Sequence, residues 1–141
     1  VSVVDVQFLQ DNWMLVTLAA VSGGMLAWNF IGGSMSGVDQ ADTLKATRLY
    51  NDDALVLDVR EDKEYAAGHI PRARHIPVGK LAARLGELDK FKSQPILVTC
   101  RSGHRSARAC RILKKAGFAT VYNQAGGILA WERANLPVTQ K

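Results

Sequence analysis

From Trp13 to Ile31 the chain runs WMLVTLAAVSGGMLAWNFI, nineteen residues without a charge. As a helix this stretch would rise roughly 28 Å at about 1.5 Å per residue, close to the roughly 30 Å of a bilayer core. A buried core helix of that length would need more surrounding chain than the remaining residues supply. The run therefore reads as a single transmembrane helix, with Trp13 at one end and Trp28 and Phe30 near the other, where amphipathic rings favour the membrane interface. A secretory signal is the weaker reading, because VSVVDVQFLQDN offers no positive charge ahead of the apolar run. Lys45 and Arg48 follow the span and no cation precedes it, which orients the N-terminus outside and the rest of the chain in the cytoplasm.

Charge divides the chain at the same place. Residues 1–33 hold Asp5 and Asp11 and no Lys, Arg or His, a balance of −2. The other 108 residues carry all 18 Lys and Arg against 11 of the 13 acids, a balance of +7. With 48% apolar and 22% charged residues in 141, one globular domain beyond the span is expected. Two cysteines exclude the disulfide framework of a small secreted scaffold. The organisation is then a short tail over 1–12, a transmembrane helix over 13–31, a Gly/Ser linker over 32–37, a domain over 38–138 and a C-terminal tail over 139–141.

Within the domain, short apolar runs alternate with helical patterns. Strands are expected at 54–58, 74–76, 95–99 and 120–122. Helices are expected at 43–51, 62–67, 78–88, 104–116 and 128–133. This rhythm indicates an α/β domain with a central parallel sheet flanked by helices on both faces.

The chemistry concentrates in Ile96-Leu-Val-Thr-Cys100-Arg-Ser-Gly-His-Arg-Ser106, a buried strand, a tight loop and a helix start. In parallel sheets ligands bind beyond the carboxyl ends of the strands, where Cys100 stands. A loop curling into a helix N-terminus aims backbone N–H groups inward as an anion cradle. With Arg101 and Arg105 beside it, Cys100 is expected to have a depressed pKa and to act as a thiolate nucleophile. Arg101, Ser102, Gly103, His104 and Arg105 are the expected substrate-binding cradle, Gly103 supplying a positive φ. Asp58 and Arg60, after another strand, are candidates to orient the site or simply to shape their turn. His69, His75 and Cys110 read as structural, and no metal or cofactor is expected.

Four stretches in order resemble a single-domain rhodanese, the sulfurtransferase family: Asp58-Val-Arg-Glu61, Gly68-His-Ile70 with Ala73-Arg-His-Ile-Pro77, the loop Cys100–Arg105, and Gly126-Gly-Ile-Leu-Ala-Trp131. The resemblance implies the rhodanese-like fold, Cys100 as the sulfur-accepting nucleophile, and residues 101–105 as its cradle. A membrane-tethered type of this family exists, which accommodates the span. The family commonly has Gly where Arg72 stands. Related phosphatases and arsenate reductases have a loop one residue longer, so the five-residue spacing from Cys100 to Arg105 favours sulfane sulfur over phosphate.

The expected reaction moves sulfur from thiosulfate or a persulfide donor to a thiol or cyanide through a Cys100 persulfide. Phosphatase or arsenate-reductase chemistry in the same loop is the enzymatic alternative, and a non-turnover sulfur-relay or interaction module the other. Expected partners are a small sulfur-donor anion, a thiol acceptor, a protein sulfur acceptor, and the membrane through residues 13–31. The basic ridge of Arg101, Arg105, Arg108, Arg111, Lys114 and Lys115 lacks interleaved aromatics, so no nucleic acid is expected.

Overall fold

The computed structural model describes residues 3–35 and 37–141, leaving aside the side chains of 3–5 and 29–35. The chain divides into two compact units, Val1–Gly37 and Val38–Lys141.

The first unit is helical. Helix α1 covers Val3–Asp11 and helix α2 Trp13–Met35, with backbone bonds Asn12→Phe8 and Val16→Asn12 carrying helical spacing across the junction. The stretch expected as an N-terminal tail is thus helical from Val3, and the expected linker is helical through Met35, Ser36 lying outside the described residues. Propagating a helix by one residue costs far less than starting one, so Gly and Ser at its end need not break it. Apolar side chains stand in the open along α2, Trp13 at 61%, Met25 at 70% and Trp28 at 78% exposure. Among the described residues no helix is long and apolar enough to cross a membrane. The expected span over 13–31 is therefore not supported here, and its last three residues lie outside the described side chains.

The second unit is the α/β domain. Its elements are β1 (Asp39–Ala41), α3 (Thr43–Asn51), β2 (Leu55–Asp58), α4 (Asp62–Ala67), β3 (Arg74–His75), α5 (Val78–Leu81), a 3-10 stretch (Ala82–Phe91), β4 (Ile96–Thr99), α6 (His104–Lys115), β5 (Val121–Gln124) and α7 (Gly127–Arg133). The strands form one parallel sheet in the order β1-β5-β4-β2-β3. Central β4 is buried at every position, as a parallel strand covered on both faces should be. Its alternation splits the core: Ile96 and Val98 join Leu57, Leu81, Ala109 and Leu113 on one face, while Leu97 joins Val56, Ile128 and Trp131 on the other.

Three departures from the sequence reading have local causes. Strand β1 is unannounced, because Asp39-Gln40-Ala41 holds one apolar residue and earns its place by pairing with β5. The helix expected over 78–88 is α only to Leu81 and then tightens to 3-10; Gly86 weakens the α form, and Leu81 and Leu88 still reach the core. The expected C-terminal tail is fastened, since His69 and Thr139 exchange two backbone bonds of 2.8 Å. Arg72, where the family commonly has Gly, sits at φ +67°. Its guanidinium lies over the Tyr50 ring and bonds Asp53 at 2.9 Å and the Tyr50 carbonyl at 2.9 Å, contacts that offset the left-handed backbone.

Candidate active site

The site is built by β4, which delivers Cys100 to the carboxyl edge of the sheet at its centre. From there the chain must turn sharply into α6, and Gly103 makes the turn at φ +107°. A Cβ at Gly103 would stand at ordinary contact distance, 3.5 Å from Gly126 N and 3.6 Å from the Gln124 carbonyl, so the positive φ rather than space is what favours glycine. The first turn of α7 holds the outside of the loop: Ile128 N–H donates to the Cys100 carbonyl at 2.8 Å and Leu129 N–H to the Arg101 carbonyl at 3.3 Å. Gly127 lets that turn come so close, because a Cβ there would meet both carbonyl oxygens. With its carbonyls fastened outward, the loop turns N–H groups inward.

Those groups face the thiol. Gly103 N–H donates to Cys100 Sγ at 3.1 Å, and Ser106 Oγ lies 3.3 Å from it. Cys100 is 1% exposed. Burial pushes its pKa up, but the Ser106 hydroxyl and the backbone N–H groups of Ser106, Gly103 and Ser102 together outweigh it and hold the thiol below its ordinary value. The sequence reading gave this work to the loop N–H groups together with Arg101 and Arg105; the structure gives the larger part to the hydrogen-bond donors, with the Ser106 hydroxyl added to them. Arg101 is exposed. Arg105 grips Glu64 of α4 with bonds of 2.6 and 2.9 Å, and this grip is the leading cause that lowers the Glu64 carboxyl to about 2.

The remaining expected residues fall into two groups. Ser102 and His104 are exposed at the loop rim. Asp58 and Arg60 are buried and bonded to each other, Arg60 Nη2 to Asp58 Oδ2 at 2.7 Å and Arg60 Nε to both carboxylate oxygens at 3.0 Å. Arg60 also bonds the Gly68 carbonyl at 2.7 Å, and its own carbonyl meets His75 Nε2 at 2.7 Å. The pair thus clamps the turn after β2, the shaping role left open by the sequence. Tyr65 stacks between His69 and His75, with ring centroids at 3.7 and 4.4 Å. Cys110 is buried in α6, and burial raises its thiol to about 12.

Glu64, Ser106 and Asn123 are parts of the site that sequence reasoning did not assign. Glu64 and Asn123 lie 41 and 17 residues from their loop partners Arg105 and Ser106, and no local pattern announces such pairings. Ser106 had a signal, a hydroxyl in the first turn after the loop.

The chain matches the rhodanese-like domain family over residues 41–134. A sulfurtransferase of Allochromatium vinosum is 39% identical over 98 residues, covering 70% of this chain and 90% of that one. The thiosulfate sulfurtransferase GlpE of Pseudoalteromonas translucida is 35% identical over 86 residues, covering 61% and 80%. Among solved structures, a rhodanese-related protein of Thermoplasma volcanium superposes with a TM-score of 0.66 at 28% identity, covering 73% of this chain and 99% of that one.

Proposed function

Because the chain belongs to the rhodanese-like domain family, we propose that it transfers sulfane sulfur through a persulfide on Cys100. The observation that carries this reading is the buried Cys100 thiol faced by Gly103 N–H at 3.1 Å and by the Ser106 hydroxyl at 3.3 Å. Such donors stabilise a thiolate, which attacks the outer sulfur of a donor such as thiosulfate or a persulfide. The Cys100 S–S bond forms as the donor's S–S bond breaks, and the bonding pair leaves with sulfite or the donor thiolate. A thiol or cyanide then takes the outer sulfur, and the pair from the broken bond restores the Cys100 thiolate. Arg101, Ser102, Gly103, His104 and Arg105 form the cradle, their backbone N–H groups meeting the charge on the outer sulfur. The five-residue spacing leaves less room for a phosphoryl group.

The test is intact mass after thiosulfate treatment, in the wild type and in Cys100→Ser, with a thiosulfate:cyanide assay beside an aryl-phosphate assay. The wild type should gain one sulfur atom and the variant none. Equal gain by the variant, or phosphate turnover without sulfur transfer, overturns the reading. A stable persulfide that no small acceptor discharges would instead identify a relay to a protein acceptor.

A membrane location through residues 13–31, single-pass with the N-terminus outside and the sulfur-transfer domain in the cytoplasm, is proposed on the uncharged run and on Lys45 and Arg48 after it. Extraction of the full chain from membranes by alkaline carbonate would overturn it.

A further inference from the structure

The Ser106 hydroxyl has one proton and two takers. Its oxygen lies 3.3 Å from Cys100 Sγ and 2.5 Å from Asn123 Oδ1, and it can donate to only one at a time. The carboxamide of Asn123 decides the resting direction. Its Nδ2 lies 3.1 Å from the Gly103 carbonyl and 3.1 Å from Gln40 Oε1. A backbone carbonyl only accepts, so the nitrogen must face Gly103 and the oxygen must face Ser106. Asn123 is 3% exposed, so no bulk water competes for that oxygen.

While Sγ is a thiol, the bonds run one way: S–H to Ser106 Oγ, and Ser106 O–H to Asn123 Oδ1. A thiolate can only accept. The Ser106 O–H then swings to the sulfur, and Asn123 Oδ1 is left buried without that donor. We propose that Asn123 is a positioning residue that holds the Ser106 proton whenever Sγ is uncharged, as thiol or as persulfide, and yields it to the sulfur only in the thiolate. The O–H bond stays intact throughout; the hydroxyl rotates and no proton is transferred. When the S–S bond to the incoming sulfur forms, the negative charge moves to the outer sulfur, and the hydroxyl returns to Asn123. Serine therefore stabilises the attacking thiolate less than it would unopposed, which leaves the sulfur lone pair freer for attack. This inference rests on Cys100 being the sulfur-carrying thiol.

The charged and titratable groups around Sγ leave this contest distinct. On α6 stand Arg105, bonded to Glu64 of α4, and the Cys110 thiol. Strand β2 brings the mutually bonded Asp58 and Arg60 to the same sheet edge, and α7 buries only Gly127, Ile128 and Trp131.

The experiment is the pH profile of iodoacetamide alkylation of the full chain, with Asn123→Leu, Ser106→Ala, their double variant and Cys100→Ser. Ser106→Ala should move the inflection up. Asn123→Leu should move it down by about half a unit, which is about threefold faster alkylation below the inflection, and should add nothing in the Ser106→Ala background. A loop merely loosened by loss of the Gly103 contact would shift the inflection upward in both backgrounds; that result, or no shift, overturns the proposal. If Asn123→Leu does not fold, Asn123→Val removes the same acceptor with a residue suited to a strand. Alkylation unchanged in Cys100→Ser would overturn the assignment of Cys100 itself, a failure distinct from the first.

Discussion

The two thiols of this chain are ten residues apart and equally hidden, Cys100 at 1% exposure and Cys110 at 0%, yet they are held in opposite states. Cys110 lies on the flank of α6 against the sheet, where burial lifts it to about 12 although Lys114 and Arg111 draw it down. Cys100 lies where β4 turns into α6, and there the donors of the loop and Ser106 overcome the same penalty. Burial alone pushes a thiol up; burial among inward-facing N–H groups holds it below its ordinary value. Charge is secondary, since Arg105, the loop cation that interacts with Cys100, is paired with Glu64.

The comparison breaks most completely if the loop is displaced. In Gly127→Ala the new methyl would drive into the Cys100 and Arg101 carbonyls at a φ of +57°. Persulfide formation should be lost and stability should fall by about 2–4 kcal/mol, measured by intact mass and urea unfolding. A normal persulfide yield would show that α7 does not hold the loop.

Removing a donor instead of the loop should give a smaller effect. Ser106→Ala is expected to cut sulfur uptake from thiosulfate about tenfold at pH values below the Cys100 inflection, the effect of one pKa unit, with Cys110 unaffected.

Next comes the ion pair. Glu64 ionises near 2 in the fold against an ordinary value of about 4.3. Its contribution to stability is therefore full above the unfolded value and is lost as pH falls toward about 2. Glu64→Gln should flatten this acid limb in urea unfolding, by under about 1 kcal/mol because the pair is partly exposed, while the Cys100 inflection moves less than in Ser106→Ala. A larger shift than Ser106→Ala gives would mean that charge rules the site after all.

Cys110→Ala should cost about 1 kcal/mol for a small cavity and leave the Cys100 profile in place. The smallest effect is expected at Arg72→Gly, where relief of a positive φ trades against the contacts with Tyr50 and Asp53, so Tm should move by about 2 °C or less.

Much of the domain was legible in the sequence because strands β2 and β4 are mostly apolar. Ile96-Leu-Val-Thr99 and Leu55-Val-Leu-Asp58 announce themselves by composition, and Cys100 by standing at the end of one of them ahead of Gly103. Strand β1 was not legible, since a polar tripeptide becomes a strand only when β5 offers it an edge. Nor was the partner of Arg105, which reads as a cradle charge in the sequence and as half of an ion pair in the fold. The N-terminal helix shows the opposite limit: composition marks it as helical and apolar, but where such a helix resides is not written in its own periodicity.

The sequence by itself determined the alternation of buried strands and helices, the short loop after Cys100, and the glycine at 103 that such a loop demands. Those are local matters of side-chain polarity and backbone freedom. Only the tertiary structure decided that Ser106 and Asn123 meet beside the sulfur and that Arg105 turns to Glu64. Each of these joins segments distant in the chain, and hydrogen bonds of 2.5 to 2.9 Å between them exist only after the parallel sheet has set its strands in register.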